Sequence, residues 1–217
     1  VAKRFCQRNK WQVNMVQFEF FYDISSPWTY LAFSRVEAMA ARCEVEIDFK
    51  PILVGGVFNA VNETVYETRA KPHPVKGRYY LKDLQDWARF CGITIGQPKV
   101  FPLPAAGLMR AALVAQDHGK LSAFSHAAFH AYWGELRDIS QPEELTALCD
   151  AVGLDASATL EAMQSDAVKA RLRANTQEVI DRGGFGSPTM YVNQTDMYFG
   201  NDRLELVEAA LKKAAGK

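Results

Sequence analysis

Residues 23–31 read DISSPWTYL. They follow VQFEFFY (16–22), a short aromatic-rich run that reads as a strand, and open onto PWTYLAFSRVEAMAAR (27–42), which reads as a helix. Pro27 suits the first helical position, because its missing N–H would have no intrahelical acceptor there. Ser26 suits the cap, where its side-chain oxygen accepts from the first turn. EVEIDF (44–49) alternates as a second strand, with Pro51 close behind. A strand, a helix and a strand within about 35 residues predict a parallel pair with a right-handed crossover.

The pattern changes after this unit and then returns. GGVFNAVN (55–62) reads as a flexible polar loop, and the glycine- and proline-punctuated stretch 54–78 as a lid. Helical segments are expected near 79–91, 105–118, 120–134, 142–152, 156–163 and 166–182, broken at Gly119, Gly153 and Asp138–Pro142. PTMYVN (188–193) and MYF (197–199) then form a short antiparallel hairpin, and NDRLELVEAALKK (201–213) a last helix. The order β-α-β, helices, β-β-α defines an α/β fold: a thioredoxin-like sheet domain with a large helical insertion. Residues 15–62 and 183–217 are assigned to the sheet domain, 63–182 to the insertion and 1–14 to an N-terminal extension.

Composition narrows the function. The 217 residues are 48% hydrophobic, enough for a sizeable core, and carry 25 basic and 25 acidic side chains. No basic run interleaved with aromatics suggests a nucleic-acid partner, and no apolar stretch suggests a membrane partner. VAKRFCQRNKWQVN (1–14) has basic residues but no apolar signal core. Cys6, Cys43, Cys91 and Cys149 have neither CxxC nor metal-ligand spacing, and read as reduced thiols of a cytoplasmic protein. His126 and His130 share a helical face without a third ligand, so no metal is expected.

Three element ends hold the chemistry. Ser26 can cap a helix, and the same geometry offers a hydroxyl and oriented N–H dipoles to an anion such as a thiolate. In GGFGSPTM (183–190), a glycine-rich loop leads to Pro188 at a strand start, a position that a cis Ser187–Pro188 bond explains and a trans edge proline also fits. In GNDRLE (200–205), Asn201 or Asp202 can cap the last helix with Glu205 completing the exchange, or Asp202 can receive an ammonium. Asn59 and Asn62 fall after the second strand, near the same sheet edge. Trp28, Tyr30, Phe58, Trp87, Phe101 and Trp133 are candidates both for an aromatic pocket and for the core.

FYDISSPWTYLAF, GGVFNAVN, KGRYYLKDLQDWARFCGI, FGSPTMYV and FGNDRLELVEAAL, taken in this order, resemble the 2-hydroxychromene-2-carboxylate isomerase family. That family is related to kappa-class glutathione transferases within the DsbA-like thioredoxin superfamily. The resemblance spans Met15 to Leu211. It implies that Ser26 stands where redox relatives keep a cysteine and bonds the sulfur of glutathione. It also implies a cis Pro188 with Ser187 main-chain groups pairing with glutathione, Asn201 and Asp202 near the γ-glutamyl end, Asn62 as a further polar contact, and a homodimer. Some relatives carry a lysine where this chain has Asn59, and AVN (60–62) replaces a frequent TGN. Lys50, Lys71, Lys76 and Arg78 are candidates for the missing charge.

The expected function is a glutathione-dependent isomerase acting on a conjugated aromatic keto acid in aromatic catabolism. Conjugation of glutathione to an electrophile is the alternative enzyme reading, and a non-enzymatic thioredoxin-like binding module the alternative of another class. Disulfide exchange needs a protein thiolate, which SSPW lacks.

Overall fold

The computed structural model describes residues 16–216, so the 1–14 extension and Cys6 lie outside the described residues. Strand β1 (Phe18–Tyr22) leads through Asp23–Ser26 into α1 (Pro27–Cys43) and on to β2 (Ile47–Pro51). β1 and β2 pair in parallel, Phe18 opposite Ile47 and Tyr22 opposite Pro51. β2 begins later than EVEIDF suggests because Glu44 closes α1 in the left-handed conformation, φ 58°, and the Val45 N–H still bonds the Ala40 carbonyl.

Helices α2 (Val54–Val61) to α9 (Asp166–Asp181) follow, then the hairpin β3 (Thr189–Val192) and β4 (Asp196–Phe199), and last α10 (Leu204–Ala214). The sheet order is β2-β1-β3-β4, with β3 antiparallel to both neighbours. This is the thioredoxin-like arrangement that the element order predicts. β1 is an interior strand whose alternating side chains are buried on both faces. Phe18, Phe20 and Tyr22 face α1 and the helices, packing with Phe33 and Phe129, whereas Phe21 packs with Ile52, Val57, Val179 and Tyr191 on the other face.

On that second face Glu19, only 7% exposed, joins an ion network. Its carboxylate meets Lys50 Nζ at 2.9 Å and Arg182 at 2.5 Å, and Glu178 bonds both cations. Burial raises the Glu19 carboxyl, but hydrogen bonds from Arg182 and Lys50 outweigh it and leave it below its ordinary value.

Several expectations need correction. The 54–78 stretch is not a loop: it contains α2, α3 (Thr64–Ala70) and the start of α4 (Pro74–Cys91). Paired glycines hide α2 from propensity, yet a Cβ on Gly56 would stand 3.2 Å from Thr176 Cγ2, so the close approach of α2 to α9 uses that glycine. α4 starts before residue 79 because His73 Nδ1 accepts from the Val75 and Lys76 N–H groups, with Pro74 at the first position. The expected 120–134 helix divides into α6 (Leu121–Phe129) and a π-helical turn, His130–Gly134. The turn brings Trp133 inward, where its Nε1–H donates to the Ile24 carbonyl at 2.9 Å.

Candidate active site

The end of β1 is organised by Asp23, which is 1% exposed. Oδ1 accepts from the Ser25 N–H and Oδ2 from the Val54 N–H, each at 2.8 Å. One carboxylate therefore holds the turn that leads into α1 and supplies the cap that Leu53 cannot give α2. The Asp23 N–H donates to Ser187 Oγ at 2.9 Å, and Ser187 Oγ lies 2.7 Å from Thr29 Oγ1. Burial pushes the Asp23 carboxyl above its ordinary value, against the lowering effect of the Val54 and Ser25 hydrogen bonds. In the sequence Asp23 is only the first residue after the strand; its caps are visible only once residue 54 is brought beside it.

Ser26 caps α1 as its position predicts. Its Oγ accepts from the Thr29 N–H at 3.2 Å and donates to the Ser187 carbonyl at 3.1 Å. The Ser187–Pro188 peptide is cis, as is Phe101–Pro102, which sequence reading does not identify. Gly200, φ 102°, donates its N–H to the Pro188 carbonyl at 3.1 Å. A Cβ on Gly200 would stand 2.8 Å from Asp202 Oδ1, so the tight 200–202 turn uses that glycine. Asn62 reaches the same loop, its Nδ2 donating to the Phe185 carbonyl at 3.1 Å. Residues 26, 62, 187, 188, 201 and 202 are thus drawn to one region around the 185–188 loop.

Their side chains have different freedom. Asn201 is 3% exposed, and both its carbonyl and Oδ1 accept from Arg35 Nη2, at 2.8 and 3.1 Å. Asp202 is exposed and meets Arg203 at 3.4 Å. Neither caps α10 through its side chain: Asn201–Arg203 form a 3-10 turn and α10 follows directly. The expected capping-box exchange with Glu205 is absent, and Glu205 instead faces Arg35 at 3.6 Å.

A cleft of about 320 Å³ opens beside this region, lined among others by Asp23, Ser25, Val54, Phe58, Arg69 and Phe101. Of the aromatic candidates, Phe58 and Phe101 line it, while Tyr30 and Trp133 are core at 4% and 3% exposure. Trp28 donates from Nε1 to the Tyr80 hydroxyl at 3.0 Å, and Trp87 carries the Arg35 guanidinium on its face. Lys50 is held by Glu19 and Glu178, and none of Lys50, Lys71, Lys76 and Arg78 lines the cleft. The cation that does is Arg69, which the sequence reading passes over.

None of the described cysteines lines the cleft: Cys43 ends α1, Cys91 ends α4 with its Sγ 3.9 Å from the Leu31 carbonyl, and Cys149 is buried in α7 (Pro142–Ala151). No group of three or more His, Cys, Asp or Glu residues suited to a metal ion occurs among the described residues. No helix among them is long and apolar enough to cross a membrane.

A serine capping the first helix, opposite a cis proline on a β-α-β/β-β-α sheet, defines a DsbA-like protein without the redox cysteine. The family model for the DSBA-like thioredoxin domain matches residues 17–212. A 2-hydroxychromene-2-carboxylate isomerase of Sphingobium xenophagum is 30% identical over 199 residues, covering 89% of this chain and 96% of that protein. Human glutathione S-transferase kappa 1 is 28% identical, covering 87% of this chain and 88% of its own. A solved 2-hydroxychromene-2-carboxylate isomerase superposes with a TM-score of 0.76 at 28% identity, covering 90% of this chain and 94% of that one. The chain belongs to the 2-hydroxychromene-2-carboxylate isomerase family of DSBA-like thioredoxin proteins. These relatives are enzymes.

Proposed function

We propose that this protein is a glutathione-dependent isomerase of the 2-hydroxychromene-2-carboxylate type. The observation that carries the proposal is the Ser26 hydroxyl, fixed at the α1 N-terminus and 3.1 Å from the Ser187 carbonyl. The residues fit glutathione along its length. Ser26 and the α1 N-terminus offer a hydrogen bond and positive potential to its sulfur. The Ser187 main chain beside Pro188 lies where a peptide backbone can pair, and the exposed Asp202 carboxylate suits an ammonium. Asn62 steadies the 185–188 loop through Phe185 and borders the same region. Asn201 acts through Arg35, setting the turn that presents Asp202.

When bound, glutathione supplies a thiolate that adds to a conjugated carbonyl compound and leaves after bond rotation, so the net change is isomerisation. The Ser26 hydroxyl turns from the Ser187 carbonyl to the sulfur, because a hydrogen bond to an anion is roughly twice as strong as one to a neutral acceptor. The apolar side of the cleft, including Val54 and Phe58, holds the aromatic co-substrate and limits water beside it. Conjugation without the return step is the second reading, favoured by the likeness to human glutathione S-transferase kappa 1. A cytoplasmic homodimer working in aromatic catabolism completes the proposal.

The test is calorimetric titration with glutathione and with S-methylglutathione, on wild type and Ser26→Ala. Both ligands bind wild type; only glutathione binding strengthens toward alkaline pH, and that strengthening disappears in Ser26→Ala. An assay with 2-hydroxychromene-2-carboxylate then separates isomerase from transferase. Failure of wild type to bind either ligand rejects both glutathione readings.

A further inference from the structure

Arg69 is the one cationic residue among the described residues lining the cleft. It lies on α3, a helix with no buried residue, so hydrophobic burial does not explain its position. Its guanidinium carbon stands 5.4 Å from the Phe58 ring centroid and 5.4 Å from that of Phe101. No carboxylate of the described residues pairs with it. Two aromatic faces thus hold a cation whose N–H edges are left for another acceptor. The rest of α3 is arranged to keep it there: the Tyr66 hydroxyl donates to Asn59 Oδ1 at 2.7 Å and packs edge-on to Phe58. Asn59, bonded to Tyr66 and uncharged, leaves the positive charge of the cleft to the next helix.

We propose that Arg69 is the specificity-determining residue of this cleft, taking the carboxylate of a planar aromatic acid on its guanidinium edge. The inference rests on the reading of the cleft as the co-substrate site and adds the group that selects among co-substrates. The planar fork of arginine matches both oxygens of a carboxylate, and the Phe58 and Phe101 rings restrict the directions in which it can point. The aromatic body of the acid then lies against the Leu53, Val54 and Leu103 side of the cleft, toward Ser25, the residue before Ser26. Neutral analogues lose the fork while keeping the apolar contacts.

The probes are trans-cinnamate and its neutral amide, titrated calorimetrically with S-methylglutathione present and absent. Wild type favours the acid by roughly tenfold, the size expected of a charge-assisted pair near the surface. Arg69→Gln brings the ratio close to one, and Arg69→Lys, which keeps the charge without the planar fork, falls between. Because no residue of α3 is fully buried and Arg69 is exposed, both variants keep the wild-type circular dichroism, and the melting temperature falls only by what the Phe58 and Phe101 contacts contribute. An acid preference that survives in Arg69→Gln, or is missing from wild type, overturns the assignment. The glutathione titration is read separately: unchanged affinity in Arg69→Gln locates the effect in the co-substrate cleft. Absence of glutathione binding in wild type instead removes the parent reading, whatever the cinnamate ratio.

Discussion

Replacing Asp23 tests the site's construction most directly. Its carboxylate accepts from the Ser25 and Val54 N–H groups, each at 2.8 Å, in a position 1% exposed. Asp23→Ala leaves both donors without that acceptor. A buried donor left unsatisfied costs about 1–3 kcal/mol. Val54 is 7% exposed and takes the upper part of that range, while the half-buried Ser25 can turn to water and takes the lower. The sum is about 3–4 kcal/mol, reduced at neutral pH because the variant no longer ionises a buried carboxyl; about 2–3 kcal/mol is expected there. Asp23→Asn keeps one acceptor and turns an amide N–H₂ toward the other donor, so about 1–2 kcal/mol is expected.

The pH dependence gives the sharper check. Burial raises the folded Asp23 carboxyl above its ordinary 3.8, against the lowering by Val54 and Ser25. Between 3.8 and that raised value the native chain holds a proton that the unfolded chain has released. The contribution of Asp23 to stability is therefore fully present below the ordinary value, falls as pH rises through the window, and is constant above it. Urea unfolding of wild type and Asp23→Ala across this range should show a gap that narrows as pH rises. A gap that widens instead would mean the two N–H groups outweigh burial, and would refute the account of this carboxylate.

Glu19 has the opposite sign. Its folded carboxyl is depressed, so its stabilisation is present above its ordinary 4.5 and is lost as pH falls through the folded value. Glu19→Gln should cost about 2 kcal/mol at neutral pH, less than breaking a fully buried pair because Glu178 still meets Lys50 and Arg182, and the cost should shrink in acid when followed by urea unfolding. Ser26→Ala loses the cap on Thr29 and the bond to Ser187, about 1–2 kcal/mol by thermal or urea denaturation, whereas Ser26→Thr retains most of it. The proposed homodimer predicts twice the monomer mass in sedimentation equilibrium, and a single-chain mass at micromolar concentration would reject it.

The sequence by itself determined the β-α-β start, the helix cap at Ser26, the position of Pro188 and the returning hairpin. These signals are local: proline at a first helical turn, a hydroxyl before it, and alternation over a few residues act within one turn or strand. The quoted motifs also carried the family. Tertiary structure decided what depends on partners far along the chain. α2 exists despite Gly55 and Gly56 because Asp23 caps it and Thr176 lies 3.2 Å from where a Cβ on Gly56 would stand. Asn201 became a buried partner of Arg35 rather than the cap its neighbours suggest. Arg69 looks like any surface charge until folding sets it between Phe58 and Phe101. A capping oxygen, a close approach or an aromatic clamp contributed from dozens of residues away leaves no periodicity to read, because only packing brings its two halves into contact.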